Sequence, residues 1–126
     1  MLTAIAIPVF TQQLEKSREA TDLSNIRSIY AEAALVVING TTTNLGTSAV
    51  TGGAITASKA DTGVWTVTVA GFKAHQEVAG WIIDVSDVAG ADISSYKPTK
   101  TTTGTGQGIV FTIDATGKCT GVTAGT

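Results

Sequence analysis

Cysteine, surplus positive charge and long apolar runs are all scarce in this 126-residue chain, and each scarcity removes a class of protein. One cysteine, Cys119, cannot build an internal disulfide framework. It also lacks the histidine and acid context that activates a thiol, so it reads as a small strand residue. Charged residues make up 14% of the chain, well under the usual quarter, and the formal net charge is −2. With a pI near 5.1 there is no basic balance to attract nucleic acid, and no nucleic-acid partner is expected. The single histidine, His75, has no second His or Cys at ligand spacing and reads as a surface or sheet-edge residue. No stretch reaches the ~20 apolar residues of a membrane span. The run from Leu2 to Phe10 is half that length and starts abruptly, as if continuing something upstream. Nucleophile, base and metal ligands nowhere converge, so no enzymatic activity and no cofactor are expected.

What is present is enough for one domain with a modest core: 43% hydrophobic residues and a mean hydropathy of +0.26. Thr, Ser and Gly supply much of the polarity that charge does not. The first forty residues organise the rest. From residue 3 to 38 the chain reads as one helix, in which Leu23, Ile26, Tyr30, Ala33 and Val37 recur at alternating steps of three and four and so share a stripe. Glu15, Lys16, Arg18, Glu19, Asp22, Arg27 and Glu32 are assigned to the other faces, with an Arg18–Asp22 pair one turn apart contributing a few tenths of a kcal/mol at best. Pro8 removes one backbone hydrogen bond, so a kink or local unwinding is expected there, unless it opens the helix from its first turn. Asn39-Gly40 is a strong stop, since both residues tolerate the left-handed conformation that ends helices. At ~1.5 Å per residue such a helix is ~50 Å long, too long for a domain of this size to bury throughout.

The remainder reads as a small antiparallel β module. Residues 40–61 form a Thr/Ser/Gly-rich connection with one short strand near Ala54–Ala57. Residues 62–126 carry the sheet: an alternating strand from Val64 to Phe72, an apolar run GWIIDV from Gly80 to Val85, and a turn-rich loop or short helix from Asp87 to Ser95. A Thr/Gly connection from Lys97 to Gly108 then leads to a terminal hairpin, Ile109–Asp114 and Lys118–Thr123, turning at Ala115-Thr116-Gly117. The fold class is therefore α+β, a long N-terminal helix on a small antiparallel sheet, with Trp65 joining Leu23, Ile26, Tyr30, Ala33 and Val37 in the helix–sheet core.

The segment LTAIAIPVFTQQLEKSREATDLSNIRSIYAEA resembles the N-terminal helix of type IV pilins: an apolar run ending in AIAIP, an aromatic two residues on, then the charged LEKSREA stretch. The resemblance covers roughly residues 2 to 34, a quarter of the chain; beyond them only the plan agrees. It implies the ladle-shaped α+β pilin fold and a role as filament subunit, self-associating into a helical homopolymer for adhesion or twitching motility. It also implies a pilus assembly machinery as partner, cytoplasmic-membrane anchoring before assembly through a segment not present here, and a final place on the cell surface. Leu2, Ile5, Ile7, Pro8, Val9, Phe10 and Leu14 would form the assembly surface, the apolar ones contributing ~1.5–3 kcal/mol each when buried. The family's leader, methylated N-terminal aromatic and early glutamate are absent. Roughly fifteen apolar residues are missing upstream on an alignment through AIAIP, so the chain as it stands is not expected to assemble normally. A lone cysteine matches the pilins of Gram-positive type, which commonly lack the C-terminal disulfide.

Two other readings follow from particular residues. Related pseudopilins of type II secretion systems hold calcium in a late loop, and Asp84, Asp87 and Asp92 are the one cluster with oxygen-ligand potential, although turns favour Asp for backbone reasons alone. A pseudopilin of a secretion or DNA-uptake system is thus the first alternative. Trp65 and Trp81 could stack on sugars, which makes an adhesive carbohydrate-binding pilin the second, against core packing as the ordinary role of tryptophan in a small domain. Asn39-Gly40-Thr41 fits a glycosylation sequon that the helix stop already explains. Lys97-Pro-Thr-Lys100 is too small a positive patch to hold DNA.

Overall fold

A computed structural model describes residues 2–78, 80–88, 90–100 and 107–125, with side chains from Gln12 onward. Helix α1 runs from Leu2 to Asn39 and is followed by four strands: β1 Ile55–Lys59, β2 Trp65–Phe72, β3 Gln107–Ile113 and β4 Cys119–Gly125. The expected assembly side chains Leu2, Ile5, Ile7, Pro8, Val9 and Phe10 lie outside the described side chains; the helix itself runs on through Pro8, neither unwound at it nor opened by it. Helix α1 ends where Asn39-Gly40 says it should. Gly40 takes φ +71°, and its N–H reaches back to the carbonyls of Val36 and Val37 at 3.0 and 3.1 Å.

The strands form one sheet in the order β1-β2-β3-β4, each pair antiparallel, so the chain meanders. Alternation sorts its two faces. Trp65, Val67 and Val69 of β2 lie opposite Ile113, Phe111 and Ile109 of β3, and all six are buried. The intervening Thr66 and Thr68 pair with Ser58 and Thr56 on one side and with Thr112 and Val110 on the other. These strand threonines lie on the face away from the core, where a β-branched polar residue suits both the strand and water. Phe72 is buried too, although strict alternation from Val69 would turn it outward. A register shift between Val69 and Phe72, with Gly71 at φ +89°, restores it to the core face. At the same place the connection after the helix crosses β2 closely. A Cβ on Gly53 would lie 2.2 Å from the Ala70 carbonyl oxygen, so glycine is the residue that fits.

The core lies between the sheet and α1, whose buried stripe is phased differently from the expected one. Leu23, Ile26 and Ala33 are buried, but Tyr30 and Val37 are only partly so, and the seam runs through Ile29 and Val36. Tyr30 instead tilts its ring against Phe111, with centroids 5.7 Å apart. Trp65 is buried against the core, with the Lys59 ammonium 5.6 Å from its ring centroid.

The apolar run from Gly80 to Val85 is not a strand, and among the described residues between Lys73 and Pro98 there is no helix or strand, only turns and one isolated bridge, Val88 to Ala91. This long excursion is nonetheless held to the core by Val85, Val88, Ala91, Ile93 and Tyr96, each 5% exposed or less.

Candidate functional site

The buried stripe of α1 does not end where its apolar residues end. Continued toward the N-terminus from Val36, Ala33, Ile29 and Ile26 at steps of three and four, it passes through Asp22, Glu19 and Glu15, and these three carboxylates are 0%, 1% and 5% exposed. Their expected place on the other faces of the helix is thereby corrected. A buried carboxylate is costly unless its oxygens are hydrogen-bonded, and here the backbone of the excursion supplies the donors. Asp22 accepts the N–H of His75 at 2.8 Å on Oδ1 and the N–H of Gln76 at 3.0 Å on Oδ2. Glu15 accepts from Glu77 at 3.2 Å and Val78 at 3.0 Å, one on each oxygen. Glu19 accepts from Ile82 at 2.7 Å and Ile83 at 3.0 Å, both on Oε1.

Each acid is thus gripped by two successive N–H groups, a nest of the kind that binds anions elsewhere. The geometry also explains the missing strand. Successive N–H groups of a strand point to opposite sides, so a backbone that aims those of Ile82 and Ile83 at one oxygen cannot be extended. A fourth acid, Glu32, holds the connection after the helix through one hydroxyl and one backbone N–H. It accepts from the Ser48 hydroxyl at 2.5 Å and the Ala49 N–H at 2.7 Å, and Ser48 is itself buried. Arg18 pairs with Glu15 at 3.4 Å rather than with Asp22, because Asp22 faces inward. His75, its side chain 57% exposed, sets Nδ1 3.0 Å from Asp22 Oδ1 at the edge of the same cluster.

Beside these contacts a cleft of about 530 Å3 is lined by Gln12, Glu15, Glu19, Val78, Trp81 and Ile82. Ser94 and Lys97 close its other side. Its two carboxylates are already committed to backbone donors, and the Trp81 indole N–H is committed to the Tyr96 carbonyl at 2.7 Å. Burial, followed by the charge of Asp22, pushes the Tyr96 phenol well above its ordinary value, so it stays neutral. Cys119 is buried in the sheet, its thiol pushed up by that burial.

Asp84, Asp87 and Asp92 are turned to their own loops. Asp84 Oδ1 accepts the hydroxyl and N–H of Ser86, Asp92 Oδ1 those of Ser94, and Asp87 Oδ1 the N–H of Gly90. Asp114 repeats the Asp-x-Ser/Thr pattern with Thr116 in the terminal hairpin. Among the described residues no group of three or more His, Cys, Asp or Glu side chains is placed to hold a metal ion. Trp65 has its ring covered, and Trp81 is half-buried. Among the described residues no helix is long and apolar enough to cross a membrane. No family model, no curated protein and no solved structure matches this chain.

Two measurements check this geometry. Asp22 uses both oxygens, so Asp22→Asn sets an NH2 group against a donor; Glu19 uses one, so Glu19→Gln can keep both bonds to an oxygen. Asp22→Asn is expected to cost about 1–3 kcal/mol in denaturant unfolding and Glu19→Gln clearly less. Equal costs would mean that the carboxylates are not bound as described. The second concerns acid. Hydrogen bonds from Ser86, Ser94 and Thr116 hold Asp84, Asp92 and Asp114 below the ordinary aspartate value. A depressed folded-state pKa stabilises the fold above the unfolded-state value, and that stabilisation is lost as pH falls through the depressed one. The melting temperature is therefore expected to hold steady above about pH 5 and to fall below about pH 4. Asp114→Asn should make that acid fall shallower, and an unchanged profile would exclude the hairpin aspartate as a contributor.

Proposed function

We propose that this chain is a structural subunit of a type IV pilus, of the ladle fold of that family, and that it polymerises through the N-terminal part of α1. The observation that carries the reading is the disproportion between helix and body. Leu2–Asn39 is 38 residues, about 57 Å at the usual rise, yet the first buried described side chain is Glu15. The sequence ahead of it, LTAIAIPVF, is apolar, and in the proposed reading another molecule or a bilayer covers it. Leu14, at 42% exposed, and farther along the helix Leu35 and Ile38, at 56% and 79%, leave additional apolar surface for neighbouring copies. The arrangement of a single helix on an antiparallel meander, with irregular connections outside it, accords with a filament subunit that presents loops outward.

Assembly in this reading joins unlike surfaces of successive copies, which gives an open helical polymer rather than a closed ring. Export and polymerisation would require a dedicated membrane machinery. Immunogold electron microscopy of producing cells, with antibody against residues 40–126, tests the proposal. Label along thin surface filaments is the expected result. Label confined to the cell envelope would replace the pilus with the pseudopilin alternative, and label dispersed in the cytoplasm would contradict both.

A further inference from the structure

The three carboxylate nests hold a segment that has little else to hold it. Residues 75–78 and 80–83 pass over α1 with six backbone N–H groups committed to Asp22, Glu15 and Glu19. Only some of their apolar side chains turn inward: Val78 is 62% exposed and Ile82 53%, while Trp81 and Ile83 are partly buried against the core. Immediately beyond, the balance reverses. Val85, Val88, Ala91, Ile93 and Tyr96 are buried in the main core, while the loops between them carry their own Asp–Ser turns. Closure also buries Gln76 completely with its Oε1 lacking a hydrogen-bond partner, a cost that opening would relieve by hydration. The side-chain amide nitrogen of Gln76 donates to the Gly80 carbonyl within the same segment, so that bond could survive opening.

We propose that residues 75–78 and 80–83 form a flap that opens from the helix as a unit while the sheet and the buried residues Val85, Val88, Ala91, Ile93 and Tyr96 stay folded. The flap is closed by hydrogen bonds from its backbone to buried charges rather than by apolar burial. Among the described residues its other ties include the His75 ring nitrogen Nδ1 3.0 Å from Asp22 Oδ1, the Trp81 indole to the Tyr96 carbonyl, the Lys100 N–H to the Gln76 carbonyl, and an exposed Lys100–Glu77 pair at 3.5 Å. Opening widens the existing cleft and uncovers the inward faces of Glu15 and Glu19. Charged groups face the flap from both sides, Arg18 and the three acids from the helix and Lys97 and Lys100 from the later loop, so opening separates opposite charges as well as breaking hydrogen bonds. The inference depends on this geometry alone and not on the filament reading.

Native-state amide hydrogen exchange on the full chain, followed by NMR at increasing sub-denaturing urea, tests it. Independent opening is expected to make the amides of Gln76, Val78, Ile82 and Ile83 exchange ~100-fold or more faster than the slowest amides of the β2–β3 ladder, with a shallow urea dependence. Glu19→Ala raises the free energy of the closed state relative to the open flap and the unfolded chain alike. It should therefore speed Ile82, Ile83 and the slowest ladder amides by a similar factor of about tenfold and leave the flap-to-ladder ratio unchanged. Flap amides that share the rate and urea slope of the ladder would overturn the proposal, because the segment would then leave only when the whole protein unfolds. Flap amides as unprotected as those of residues 41–44 would overturn it equally, because the nests would not be closing them.

Discussion

Two adjacent backbone N–H groups closing on one carboxylate is the interaction on which the non-sheet part of this protein depends. It solves two problems at once. An acid on the buried stripe of a helix requires donors, and an irregular segment crossing that helix requires acceptors for N–H groups that pair with no strand. Asp22, Glu15 and Glu19 meet His75–Gln76, Glu77–Val78 and Ile82–Ile83 in three such pairings, and Glu32 holds the Ser48–Ala49 corner through one hydroxyl and one backbone N–H. Each bond to a charged acceptor is worth about 1.5–3 kcal/mol net. Removing one acid would leave both of its donors without their acceptor, so the two bonds of each pair are lost together.

This arrangement divides the helix by function. Its C-terminal half carries Ile26, Ile29, Ala33 and Val36 and packs on the sheet through ordinary apolar burial. Its N-terminal half, on the same stripe, carries the acids and organises the chain that returns from β2. The sheet itself is conventional, a four-stranded meander whose buried face is Trp, Val, Ile and Phe and whose other face is largely threonine and serine. A body built this way leaves irregular loops at its surface with defined positions, which suits a protein whose proposed task is to be one repeated unit of a surface filament.

The α+β class, the helix stop at Gly40, the β2 strand and the terminal hairpin were legible from periodicity and turn chemistry, because each is decided by neighbours a few residues apart. The phase of the helix was not. Apolar spacing alone supported Tyr30 and Val37 as readily as Ile29 and Val36, and the carboxylates that settle the matter were assigned to solvent because acids ordinarily are. Their partners lie more than fifty residues away and are backbone amides, which no side-chain pattern announces. The one available signal was that Glu15, Glu19 and Asp22 continue the spacing of the apolar stripe. Likewise GWIIDV has the composition of a strand, and the acids across the gap overrule it. The register shift before Phe72 was hidden for a simpler reason: a bulge changes the phase that alternation assumes, and Gly71 was its one local sign.

Scalar couplings across hydrogen bonds, measured by NMR on uniformly 15N,13C-labelled protein, read the central interaction directly. The account requires correlations from the amide nitrogen of Gln76 to the Asp22 carboxyl carbon, from Val78 to that of Glu15, and from Ile82 and Ile83 to that of Glu19. Correlations from Ile82 or Ile83 to backbone carbonyl carbons in their place would contradict it, since residues 80–85 would then be the strand that their composition suggests.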